Sequence, residues 1–440
     1  MNPEYLAVLM FSGVFILVLL GVPLYLCLGG LGLLFGILGH WVPMVFNQFI
    51  SRIYGVMSNE VLPAVPLFIF MGAVMTQSGA AEKLFNSLYR VLGAIRGGLA
   101  VCTLIICTIF AATAGVVGAT ETAVGLMALP AMLDRKYNIS LASGTICAGG
   151  TLGILIPPSV MILVYGPMAG LSVAKMFIAA LLPGLLLSGL YIIYVLCICW
   201  IRPEYGPPLS KEERQEVPMS KVLADVAFYM IPPLFLIFSV LGTILLGVAS
   251  PTEAASVGAL GSVVVAVAYR KFNLGTLYDA AVQTMRITSM IMFITIGAFM
   301  FSGVFMALNG GKFIGEIVLE LPLGKWGILA VMQLALIFLG MFIDWMGILF
   351  IAIPIFTPIA AQLGFDPLWF ATLVCVNLQI SFLSPPFAYS MFYLKGIAPD
   401  YVTMKHIYTG VVPFVALQVF GLAMCMIFPQ IILWLPRVLM

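Results

Sequence analysis

Charge is what this chain has least of. Only 8% of its 440 residues are Asp, Glu, Lys or Arg, against about 25% in a soluble domain. That excludes a soluble body of any size; the longest polar stretch, Arg202 to Lys221, is a loop. The net charge is +2 and the basic residues are scattered over loops, so no nucleic-acid surface is expected. Histidine is nearly missing: His40 and His406 stand apart at helix ends, which leaves no transition-metal cluster. The eight cysteines lie in apolar segments, and Cys197 and Cys199 have neither zinc nor redox spacing. There is no GxxxxGKS or GxxxxGKT phosphate loop and no nucleophile–base pair. Neither an ATP-driven pump nor an enzyme is supported. The N-terminus has no basic region before its apolar run, so it reads as a membrane helix rather than a signal peptide.

What is there is apolar sequence, 63% of the chain. About 20 apolar residues span a bilayer. Full crossings are expected at 3–20, 23–40, 62–80, 140–168, 176–200, 224–247, 253–269, 287–309, 368–395 and 407–435. Two stretches of about 36 residues, 98–133 and 326–361, are long for one helix and short for two spans. Each is expected to be a re-entrant hairpin of two half-length helices. With both hairpins entering and leaving on one side, Lys and Arg sort 14 against 5. The richer side is cytoplasmic by the positive-inside rule, and both termini lie on the other side. Segments 45–58 and 273–286 are amphipathic and expected along the interface.

Two adjacent prolines, Pro157 and Pro158, interrupt one of these apolar segments. Each lacks the N–H that a helix needs and crowds the carbonyl four residues back. With Gly149, Gly150 and Gly153 before them, the helix must break, and freed carbonyls in a membrane need another partner. The break recurs at Pro385-Pro386, and 385 − 157 = 228. Pro130 and Pro358, and Pro23 and Pro251, share that offset. Matching segments face opposite sides in the charge count. The fold class is thus an all-α polytopic membrane protein built as an inverted-topology repeat, 1–220 and 221–440. Such repeats mark secondary transporters, with sites where discontinuous helices meet near the midplane.

Each half contributes a hairpin tip and a broken helix. The first tip, residues 111–125, holds Thr113, Thr120, Thr122 and one acid, Glu121. Hydroxyls and backbone carbonyls are the oxygens a hard cation such as sodium prefers. The same small residues also suit close helix packing, and Glu121 suits a helix cap. The second tip, 340–350, holds Asp344, which is open to an ion, gate or N-cap role. Asn377, Gln379, Ser381 and Ser384 precede the second break. Pro251 and Glu253 read as a structural helix start.

Several stretches together resemble the large membrane (M, DctM-type) subunit of tripartite ATP-independent periplasmic (TRAP) transporters. They are GVPLYLCLGGLGLL (21–34), VPLFIFMGAVMTQSG (65–79), GTLGILIPPSVMILVYG (150–166), ASPTEAASVGAL (249–260) and VNLQISFLSPPFAYSMFYLKGI (376–397). The resemblance covers essentially the whole chain. It implies a sodium-driven, elevator-type importer of small carboxylates in the bacterial inner membrane. It implies two partners, a soluble periplasmic binding protein and a small four-helix membrane subunit, and no cofactor beyond sodium as coupling ion. Carried onto this sequence, sodium site 1 comprises Val116, Gly118, Thr120, Gly150, Thr151, Gly153 and Pro157. Sodium site 2 comprises Gly340, Met341, Asp344, Asn377, Ser381, Ser384 and Pro385, and substrate would meet Glu121, Asp344, Pro158 and Pro386. The alternative is a stand-alone sodium- or proton-coupled carboxylate transporter of similar architecture. Two departures stand out. The first tip reads VVGATETA, less rich in Ser and Gly than in many members, and Trp345-Met346 follow Asp344 where many have Pro-Thr. The bulk of Trp345 predicts a more apolar acid as substrate.

Overall fold

The computed structural model describes residues 3–39, 42–209, 218–386 and 388–440. His40, positions 210–217 with Lys211 and Arg214, and Phe387 lie outside the described residues. Among the described residues every regular element is helical. Six helices are long and apolar enough to cross a membrane, or seven if one bent pair counts as a span. The chain is a polytopic α-helical membrane protein.

The first half opens with α1 (Pro3–Leu19) and α2 (Leu24–Leu38). At 17 and 15 residues they fall short of the ten-crossing expectation's full spans. α3 (Val42–Met57) is the expected amphipathic helix, with Phe49 and Val56 buried and Ile50 and Tyr54 exposed. α4 (Ala64–Gln77) and α5 (Ala80–Leu92) are bent by 57° at Ser78-Gly79, where Gly79 takes φ +70. The expected crossing at 62–80 stops at the first residue of α5. α5 continues because Ala81, Leu84, Phe85 and Leu88 form a buried stripe.

α6 (Gly98–Ala114) and α7 (Val117–Asp134) follow, separated by Gly115 at φ +61 and extended Val116. Arms of 17 and 18 residues are about 25–27 Å long, nearly a bilayer core of about 30 Å. They are longer than the half-length helices expected. α8 (Ile139–Thr151) tightens into a 3-10 turn over Leu152–Ile154, then breaks at a cis Pro157-Pro158 bond. α9 (Val160–Ala169) and α10 (Val173–Ile201) complete this half.

The second half runs α11 (Met219–Leu245), α12 (Pro251–Ala268), α13 (Leu274–Ala307), α14 (Gly310–Leu319), α15 (Lys325–Gly340) and α16 (Trp345–Gln362). After them come α17 (Pro367–Ser381), a cis Pro385-Pro386 bond, α18 (Tyr389–Ile397), α19 (Met404–Ile427) and α20 (Gln430–Leu439). Ser250 and Glu253 close a reciprocal capping box at the start of α12, the structural role read from Pro251 and Glu253. α13 corrects the expectation of an interfacial helix at 273–286 followed by a span. It is one helix of 34 residues, because no Gly-Pro signal interrupts it. The expected crossing at 407–435 is instead two helices, ended by Phe428 and restarted after Pro429.

α1–α5 and α11–α14 pack mainly among themselves, and α6–α10 with α15–α20 form a second group against them. Within the second group α8 and α19 approach closest. A methyl added at Gly144 would sit 2.1 Å from the Gly410 carbonyl oxygen. Small residues permit such backbone contact in membrane bundles.

Candidate functional site

Both Pro-Pro breaks lie against a hairpin tip. In the first half, Gly115 packs on the Pro158 carbonyl oxygen, 3.2 Å from where its Cβ would stand, and Gly153 faces the Val116 carbonyl at 3.7 Å. Thr120 donates to that same Val116 carbonyl at 3.4 Å and is buried. Ser159, unnoticed in the sequence, donates to the Ile154 carbonyl across the break. Val116, Thr120, Gly153 and the Pro157-Pro158 turn therefore meet. Gly118 points elsewhere, toward the Tyr393 ring. Gly150 lies against Glu121, whose Cβ would stand 2.9 Å from a methyl added at Gly150.

In the second half the contact is made by side chains. A methyl at Gly340 would stand 1.8 Å from the Ser381 Oγ. Asn377 donates to the Gln333 carbonyl at 2.9 Å and to its Oε1 at 2.7 Å, tying α17 to α15. The Asn377 Oδ1 and Ser381 Oγ are buried without a hydrogen-bond partner among the described residues. Ser384 donates to the Ile380 carbonyl, and Met341 is half-buried. Pro157 and Pro158 are buried, whereas Pro385 and Pro386 are exposed.

The offset of 228 pairs Gly149 with Asn377, Gly153 with Ser381 and Val116 with Asp344. Val116 and Asp344 each stand at the N-cap of the second hairpin helix, in extended backbone. One half thus offers mainly backbone oxygens and the other mainly side-chain oxygens. Thr151 and Gln379, also 228 apart, touch: the Thr151 hydroxyl lies 3.4 Å from the Gln379 Oε1. Gln418 donates to that hydroxyl at 3.3 Å. The hydroxyl of Tyr191 is buried close by, with no partner among the described residues meeting hydrogen-bond geometry. Thr151 therefore turns away from the first tip and toward the centre of the bundle.

Glu121 is fully buried where α7, α8 and α18 meet. The Ser390 hydroxyl and Cys147 thiol lie beside it, but the hydroxyl donates to the Cys147 carbonyl at 3.2 Å. Among the described residues, neither carboxyl oxygen closes a hydrogen bond of good geometry. Glu121 is absent from the lining of the cavity between the tips; Asp344 is part of it.

That cavity has a volume of 360 Å³ and separates both hairpin tips from α2 and α13. Besides Asp344 its lining holds Tyr25, Trp345, Tyr389 and Tyr393, with apolar residues making up most of the rest. A wider cleft of 700 Å³ shares Val116, Gly118 and Tyr393 with it and reaches Glu82 and Lys271. Sequence reasoning missed Tyr25, Tyr389 and Tyr393, since a tyrosine in an apolar run carries no spacing signal. It also missed Gln418, the one glutamine of α19, which polarity alone would have flagged.

Comparison with known proteins fits this arrangement. The family described as "Tripartite ATP-independent periplasmic transporter, DctM component" matches residues 11–431. The chain is 34% identical to the C4-dicarboxylate TRAP transporter large permease protein of Pseudomonas aeruginosa, over 79% of each chain. It is 33% identical to the ectoine/5-hydroxyectoine TRAP transporter large permease protein of Ruegeria pomeroyi, over 98% of each. In fold it is similar to the Alcanivorax borkumensis YdaH transporter, with a TM-score of 0.65 at 15% identity, covering 94% of this chain and 97% of that one. The chain belongs to the tripartite ATP-independent periplasmic transporter family, as its large membrane permease.

Proposed function

We propose that this permease is a sodium-coupled importer of small organic acids, embedded in the bacterial inner membrane with both termini periplasmic. Permeases of this family work with a substrate-binding protein and a small membrane subunit. The binding protein delivers substrate from the periplasm. The two halves, 1–220 and 221–440, act as an inverted repeat, and α6–α7 and α15–α16 are its re-entrant hairpins. Each hairpin tip and its neighbouring broken helix hold one sodium ion. In the first site Val116, Thr120, Gly153 and the Pro157 turn supply mainly backbone oxygens. In the second, Asn377, Ser381 and Ser384 supply side-chain oxygens, with Gly340, Met341 and Pro385 shaping the backbone, while Asp344 faces the cavity and is left for the substrate. Substrate occupies the cavity between the tips.

The observation that carries this reading is the contact between Thr151 and Gln379. A contact between two residues one repeat offset apart supports a pseudo-symmetry axis passing between the two broken helices. Sites near the repeat interface at the midplane fit alternating access by one unit against the other. The cleft that reaches Lys271, on the Lys- and Arg-rich side, favours an inward-open arrangement. A sodium ion falling through the membrane potential supplies about 2.3 kcal/mol per 100 mV, plus its concentration term. Electrogenic import needs more sodium charges than substrate charges. Uptake into proteoliposomes holding the permease and small subunit, fed by the loaded binding protein, tests the reading. The rate should collapse when sodium is replaced by potassium; an equal rate in sodium-free buffer overturns it.

A further inference from the structure

The cavity between the hairpin tips has a charge pattern that a dicarboxylate does not match. Its described lining holds one charged side chain, Asp344, and no lysine, arginine or histidine, although the chain has 19 Lys+Arg. Lys271 lies only on the outer cleft. Taking an ionised carboxylate out of water without a partner is costly. A second carboxylate brought beside Asp344 adds repulsion. Even with Asp344 neutralised, nothing in the described lining would balance a dianion.

The rest of the wall favours the opposite sign. Tyr25, Trp345, Phe382, Tyr389 and Tyr393 bring five aromatic rings to one small cavity. Aromatic faces attract cations, most strongly when water is excluded, and clusters of them are the usual receptor for quaternary ammonium groups. Asp344 adds a formal counter-charge to the same wall. One carboxylate still has a place. Val117 and Gly118 open α7 on the cavity, and no side chain caps that helix. Amide N–H groups at a helix start accept one anionic group.

We infer that the substrate is a small zwitterion: a positive centre of delocalised or quaternary ammonium type held by Asp344 and the aromatic rings, with a single carboxylate at the start of α7. This rests on the import reading above and narrows its substrate class. It also changes the energetics, because a net-neutral solute needs only one sodium to make import electrogenic, whereas a dianion needs three.

The test uses the full chain co-purified with its small membrane subunit in nanodiscs, in sodium buffer. Thermal stabilisation is titrated with glycine betaine, ectoine and carnitine as zwitterions and with succinate and malate as dianions. At least one zwitterion should act at a concentration tenfold or more below both dianions. Asp344→Asn and Tyr393→Leu should each weaken it about tenfold, while Tyr393→Phe, which keeps the ring, should hold within threefold. Dianions acting as well as or better than every zwitterion overturn the inference, as does stabilisation by none of the probes. If Asp344→Asn fails to fold, the Leu and Phe pair at Tyr393 decides: equal loss in both overturns it. Repeating the titration in potassium separates the two readings. A zwitterion that binds equally well without sodium leaves the substrate class standing and sinks the sodium coupling.

Discussion

Replacing Gly340 with alanine presses directly on the second hairpin's contact with its broken helix. The new methyl would stand 1.8 Å from the Ser381 Oγ, 2.5 Å from its Cβ and 3.2 Å from its Cα. Carbon atoms rest at about 3.5–4.0 Å. Turning the hydroxyl relieves only the first contact. The other two require α15 and α17 to part by about 1 Å to regain that spacing. Overpacking of this kind costs about 1–3 kcal/mol, and a penalty of that size is about 5–150-fold in an equilibrium constant. Ser381 belongs to the proposed second sodium site, so the sodium concentration giving half-maximal uptake should rise by a factor in that range. The assay is proteoliposome uptake against sodium, with potassium holding ionic strength constant and the melting temperature measured in parallel. Adding Ser381→Gly to the alanine variant removes the two shortest contacts, leaving only the Cα at 3.2 Å, and should restore most of the melting temperature. It should not restore the sodium response, because the Ser381 oxygen is gone. A Gly340→Ala protein that melts and responds to sodium like the parent refutes the reasoning.

Three further substitutions probe other contacts. Gly115→Ala forces a side chain onto a left-handed residue at φ +61, with its methyl 3.2 Å from the Pro158 oxygen. A left-handed L-residue costs about 1–2 kcal/mol, so half-maximal sodium should rise severalfold in the same uptake assay, and an unchanged value would count against the first site. Gly144→Ala puts a methyl 2.1 Å from a backbone oxygen of α19 that cannot turn aside. Melting should drop by several degrees in differential scanning fluorimetry, and a parental melt would show that α8 and α19 are not in close contact. Thr151→Val and Gln379→Leu should be coupled by about 0.5–3 kcal/mol in a double-mutant cycle on stability, whereas additive effects would mean the two do not meet.

How much of this was legible in the sequence depended on whether the backbone or the packing decides a feature. Proline cannot continue a helix, so the breaks at Pro157-Pro158 and Pro385-Pro386 and their shared offset could be read directly. The bounds of the two long apolar stretches, 98–133 and 326–361, agree with those of α6–α7 and α15–α16 to within a residue. Environment was harder. Glu121 and Asp344 look alike in sequence, each the lone acid of an apolar hairpin tip. One faces α8 and α18 and the other faces the cavity, which is settled by helices distant in the chain. Thr151 seemed an ion ligand beside Gly150 and Gly153, yet its hydroxyl is engaged by Ala148 and Gln418. The continuity of α13 was hidden because an amphipathic start and an apolar body share one helical period. The split at Phe428-Pro429 could have been found, since proline after an apolar run is a stop signal.

The central claim is that sodium and substrate cross together. It is tested most directly by following radioactive sodium and labelled substrate at once in the same proteoliposomes. The account predicts that both enter at a fixed ratio, that neither flux persists without the other, and that Gly340→Ala slows both in proportion. Substrate accumulating with no matching sodium influx would contradict it.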